Sequence, residues 1–93
     1  MSQDINDKIV NYLKRFNPRR IGIFGSYARN EDTPQSDIDL LVDFPEQVTL
    51  FDLGGMKVEL SEMLNRPIDI VTERGINTRI KEHIYRDLKI IFG

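Results

Sequence analysis

Ninety-three residues, 40% apolar and 30% charged, predict one small globular domain over residues 1–93, with material for a single core and little to spare. A formal charge of −2 speaks against a protein that grips nucleic acid along an extended basic face, and the lack of cysteine excludes disulfides and thiolate metal sites. No apolar run approaches membrane-spanning length and the polar start carries no targeting signal, so a cytoplasmic location without a membrane partner is expected.

Between Asp4 and Phe16, the residues Ile5, Ile9, Tyr12, Leu13 and Phe16 recur at helical spacing, with Ser2 or Asp4 available as the cap. Asn17-Pro18 stops that helix. The apolar run Ile21, Ile23, Phe24 then reads as a strand ending in Gly25-Ser26, after which Tyr27-Ala28-Arg29 begins a second helix. A strand, a tight glycine turn and a helix start aim free backbone N–H groups at one point, where an anion is stabilised. Gly25 lets the backbone approach closely, and the Ser26 hydroxyl can cap the helix or bond a phosphate oxygen. Arg29, one turn on, is placed to reach a phosphate, to brace an aspartate or simply to lie at the surface. Asn30 to Gln35 is a polar loop in which Asn30 suits a left-handed helix end.

Ser36-Asp37-Ile38-Asp39-Leu40-Leu41-Val42 is a strongly apolar strand pattern that opens on two acids. Side chains alternate along a strand, so Asp37 and Asp39 point the same way with Cα atoms ~6.5 Å apart. Two such acids at the mouth of a buried strand repel each other unless cations lie between them, and Mg²⁺ is the natural occupant of an all-oxygen site beside phosphates. Asp43, at the far end, reads as a solvated or capping acid. Pro45 ends the strand.

Thr49 and Asp52 form a capping pattern for a helix running to about Asn65, with Leu50, Leu53, Leu60 and Leu64 on one face. Gly54-Gly55 weakens that helix and is expected either to pack closely against the sheet or a partner, or to kink it. A strand over Ile68–Val71 carries Asp69, and the helix beyond Gly75 carries Ile76, Ile80, Ile84 and Leu88 on one stripe. Ile90-Ile91-Phe92 is apolar enough for a last short strand or a core plug. His83 reads as a surface residue, and Arg66, Arg74, Arg79, Lys81 and Arg86 as a loose basic patch, solvated or facing an acidic partner. Helices alternating with strands predict an α+β fold, an α/β sandwich with a small mixed β-sheet flanked by helices.

Gly-Ser at a strand end and Ser-Asp-x-Asp are each common alone, but here they stand in order, about ten residues apart, each beside an apolar strand. Gly25-Ser26-Tyr27-Ala28-Arg29 followed by Ser36-Asp37-Ile38-Asp39-Leu40-Leu41-Val42 resembles the signature of the DNA polymerase beta nucleotidyltransferase superfamily. Within it, the chain resembles the minimal nucleotidyltransferases that form the antitoxin half of HEPN/MNT toxin–antitoxin pairs, and the likeness covers almost the whole chain. The resemblance implies a polymerase-beta-type palm in which the Asp69 strand lies beside that of Asp37 and Asp39. It implies Asp37, Asp39 and Asp69 as catalytic and metal-binding residues for two Mg²⁺ ions, and Gly25, Ser26 and Arg29 as nucleotide-binding residues. The implied reaction moves AMP from ATP to a hydroxyl and releases pyrophosphate, the acceptor being a tyrosine of a HEPN-type toxin from the neighbouring gene. Two other readings stay open: an antitoxin that neutralises by contact alone, and a small-molecule, antibiotic-type nucleotidyltransferase. Homo- or hetero-oligomers fit each of them.

Overall fold

A computed structural model of the chain, describing residues 1–93, runs α1 (Gln3–Leu13), a 3₁₀ turn (Lys14–Phe16), β1 (Arg20–Phe24), α2 (Gly25–Ala28), β2 (Ile38–Asp43), α3 (Leu50–Leu64), β3 (Ile68–Thr72), α4 (Thr78–Asp87) and β4 (Lys89–Phe92). The strands form one sheet in the order β3-β2-β1-β4. β1 is antiparallel to β2 and β4, whereas β3 runs parallel to β2. A parallel pair needs a long crossover, and α3 supplies it. This is the mixed sheet of the expected α+β sandwich, and Lys89–Phe92 resolves as a strand rather than a core plug.

The two faces of the sheet are covered unequally. Ile21 and Ile23 of β1, Ile38, Leu40 and Val42 of β2, and Ile68 and Ile70 of β3 share one face and form one core with Ile9, Tyr12 and Leu13 of α1 and Met56 and Leu60 of α3. The alternate residues Phe24, Asp39 and Asp69 therefore face the other way, toward α4, which contributes only Ile84 as a buried side chain. A cleft stays open there.

Local signals hold where they are short-range. Ser2, not Asp4, caps α1 by accepting from the Ile5 N–H at 3.2 Å. Thr49 and Asp52 close a reciprocal capping box at α3, with both bonds at 3.0 Å. Asn30 adopts the left-handed conformation at φ 59°, and Asn65 ends α3 in the same way.

Several expectations are corrected. β2 begins at Ile38, so Asp37 lies in the loop ahead of it, exposed. α2 begins at Gly25 itself and lasts one turn; no side-chain hydrogen bond caps it, so Ser26 is not the cap. α4 begins at Thr78 with Asn77 as its cap, leaving Ile76 outside the helix, and Ile80 is 45% exposed. Leu50 does not join the inner face of α3 but is 86% exposed. The loose basic patch breaks up as well. Arg66 is folded in, donating to the Ser36 carbonyl at 3.0 and 3.2 Å, pairing with Asp32 at 3.0 Å and lying over the Tyr27 ring, while Arg74 donates to the Pro45 carbonyl.

Gly54 and Gly55 do not pack against the sheet: a Cβ at either would meet nothing within 4 Å, and α3 runs through both without a break. Gly54→Ala and Gly55→Ala should each stabilise the isolated chain by about 1 kcal/mol, because alanine loses less backbone entropy in a helix. In a domain this small that corresponds to a rise of roughly 4–8 °C in Tm, measurable by thermal unfolding. A lowered Tm would show that the pair is needed inside the fold.

Candidate active site

The glycine turn and the acidic strand meet because β1 and β2 are neighbours. Phe24, the last residue of β1, is paired in register with Asp39, so the turn at Gly25 lies directly over that carboxylate. Gly25 has φ +76°, and a methyl group built on it would collide with Oδ2 of Asp39. Only glycine fits here.

Tyr27 anchors the short α2 from behind. Its buried hydroxyl donates to Asn6 Oδ1 at 2.8 Å and accepts from the Ser2 N–H at 2.9 Å, tying α2 to α1. Burial pushes its phenol above the usual range. Arg66 lies against the ring of Tyr27 and fastens the Ser36 carbonyl, and so fixes the loop that delivers Asp37 to the mouth of β2.

Across the parallel pair, Asp39 stands opposite Asp69 in register. Residues directly opposite in a sheet project from the same face. Asp39 is half-buried, and its carboxyl is raised above the ordinary range by burial first, then by the charges of Asp69 and Asp37, with Arg29 pulling the other way. An anionic site short of compensating charge results. Two acids project together on this face with a third just ahead of the strand, an all-oxygen donor set that suits a hard divalent cation such as Mg²⁺. As the chain stands, no three ligating side chains converge to hold an ion. Asp69 instead lies 3.6 Å from Nζ of Lys57 on α3.

Around these residues opens a cleft of about 560 Å³. Of the residues singled out in the sequence, Gly25, Arg29, Asp39 and Asp69 line it, whereas Ser26 and Asp37 do not. Arg29 is engaged by Asp87 of α4 at 2.7 Å and by Glu31 at 3.4 Å. α4 forms the remaining wall through Ile80, His83, Ile84, Arg86 and Asp87, with Phe24 and Val71 completing the apolar part.

His83 is exposed, as expected, but the sequence does not place it, Arg86 and Asp87 at the cleft or Lys57 beside Asp69. For His83 and Asp87 a signal was present: Ile80, His83, Ile84 and Asp87 are spaced to share one helical face. For Lys57 there was none.

Residues 7–91 match the nucleotidyltransferase domain family. A candidate protein adenylyltransferase of Methanocaldococcus jannaschii is 42% identical, covering 90% of this chain and 90% of its own length. The protein adenylyltransferase MntA of Thermococcus cleftensis is 35% identical, covering 81% of this chain and 76% of its own. A chain from the complex of tri-AMPylated Shewanella oneidensis HEPN toxin with MNT antitoxin shares the fold at a TM-score of 0.84 and 23% identity, over 100% of this chain and 73% of that one.

Proposed function

The chain belongs to the nucleotidyltransferase domain family, and we propose that it moves AMP from ATP to a tyrosine hydroxyl of a HEPN-type toxin and thereby silences it. The observation that carries this reading is Asp39 facing Asp69 in register beneath the Gly25 turn. The adenylyltransferase names of relatives at 42% and 35% identity support AMP as the transferred group. The AMPylated toxin in the Shewanella complex supports the partner.

In this reading the turn at Gly25 and Ser26 receives the β- and γ-phosphates on backbone N–H groups and the Ser26 hydroxyl. Asp37, Asp39 and Asp69 are the residues that would hold Mg²⁺, which when bound neutralises phosphate charge and acidifies the acceptor hydroxyl. Arg29, which lines the cleft and is paired with Asp87, would meet the phosphates. Asp69 accepts the proton of the tyrosine hydroxyl. The freed oxygen bonds to the α-phosphorus, the bond from that phosphorus to the bridging oxygen breaks, and pyrophosphate leaves with the electron pair.

The chain, incubated with Mg²⁺-ATP and a HEPN-type toxin, the expected product of the neighbouring gene, should increase the toxin's mass by AMP increments that tandem mass spectrometry places on tyrosine. An unmodified toxin under conditions where the two proteins form a complex would overturn the assignment.

A further inference from the structure

α3 is apolar on the face where a surface helix is ordinarily charged. Phe51 is 88% exposed, Leu50 86% and Val58 58%, and between them Gly54 and Gly55 have nothing within 4 Å. Phe51, Gly54, Gly55 and Val58 follow the spacing of a single helical stripe, on the side away from the buried Met56 and Leu60. An isolated exposed leucine needs no explanation, but a contiguous stripe around an aromatic residue marks a contact surface. The glycines form its floor, where another backbone can come close.

We propose that this face is the docking surface for the acceptor protein, which presents a helix with an apolar ridge flanked by basic side chains; this rests on the reading above that the acceptor is a separate protein. Charge selects that partner. Asp52, Glu59 and Glu62, all exposed, are the acids of α3, and its one cation, Lys57, is turned to Asp69. A second copy of this chain would bring acids against acids with no free cation on the helix to offset them, whereas a basic-edged helix is steered in. Phe51 is the anchor, an exposed aromatic of the type that dominates interface energetics. Lys57, on the flank of the same helix, has its Nζ 3.6 Å from Asp69, so α3 meets the acidic site through that one long side chain.

The test measures binding of the proposed HEPN-type toxin partner to three proteins: the original, Phe51→Glu and Gly55→Gln. Both variants should bind the toxin at least ~30-fold more weakly, the loss typical of a dominant interface residue. Their Mg²⁺-ATP affinity and Tm should not fall, since neither side chain touches the core or the cleft. Glu59→Lys should slow association and weaken its salt dependence. Toxin binding unchanged in Phe51→Glu and Gly55→Gln would overturn the docking surface while leaving the proposed reaction intact. Failure of the original chain to bind the toxin would remove the toxin reading and this assignment together. Loss of ATP affinity in step with toxin affinity would trace the defect to the fold and overturn it. So would a dimer of the original chain that Phe51→Glu dissolves, because the face would then serve a second copy.

Discussion

Asp39→Asn should abolish AMP transfer, by at least about 10³-fold, while making the metal-free protein more resistant to heat. Both effects have one origin. Asp39 is half-buried between Asp69 and Asp37, and burial, Asp69 and Asp37, in that order, raise its carboxyl above the ordinary range. An aspartate whose folded-state pKa exceeds its unfolded value contributes stability below the unfolded pKa and loses it as pH rises through the folded one. The original chain therefore loses stability as pH rises from the ordinary carboxylate value through the raised one, and the asparagine variant does not. Thermal melts in EDTA should diverge toward neutral pH, with the variant higher, and converge in acid where both groups are uncharged. Asparagine keeps the size of the side chain and leaves the Gly25 turn its room. A variant that melts lower than the original at neutral pH would mean that Asp39 serves packing. Retention of a tenth of the activity would remove it from the chemistry.

Asp69→Asn should separate nucleotide binding from transfer. On the proposed mechanism Asp37 and Asp39 remain to hold Mg²⁺-ATP while the acceptor hydroxyl loses its proton acceptor, a loss that typically costs about 10²–10⁴-fold in rate. The substitution also frees Lys57 from its 3.6 Å pairing with Asp69. Both side chains of that pair are about half exposed, so little stability rides on it. Calorimetry should show ATP affinity within a few-fold of the original, and mass spectrometry an unmodified toxin. Cells carrying the toxin with Asp69→Asn should stop growing although the complex still forms. Protection equal to that of the original chain would mean neutralisation by contact alone. Lost ATP affinity would make Asp69 primarily a binding residue.

Much of this was legible in sequence where the deciding interactions are short-range. The capping box of Thr49 and Asp52 and the left-handed Asn30 depend on atoms within a turn of each other, and both stand as read. The turn at Gly25, with φ +76°, is similarly local, whereas Asp37, expected on the strand beside Asp39, lies in the loop ahead of it. Arg66 was misjudged because its partners, Asp32, Ser36 and Tyr27, lie thirty or more residues away in the chain. Leu50 was placed inward because a leucine at helical spacing does not reveal whether its face meets the sheet or a partner.

The sequence by itself determined the alternation of helices and strands, the tight glycine turn after β1 and the family, because each is written in residue type and spacing over a few positions. Only the tertiary structure decided that Phe24 and Asp69 both register with Asp39, that α4 brings His83, Arg86 and Asp87 to the cleft, that Lys57 reaches Asp69, and that α3 turns Phe51 outward. Those outcomes depend on which strands pair and on which of two faces each helix buries. Both are set by the burial of the whole core at once, and no short window of residues contains that information.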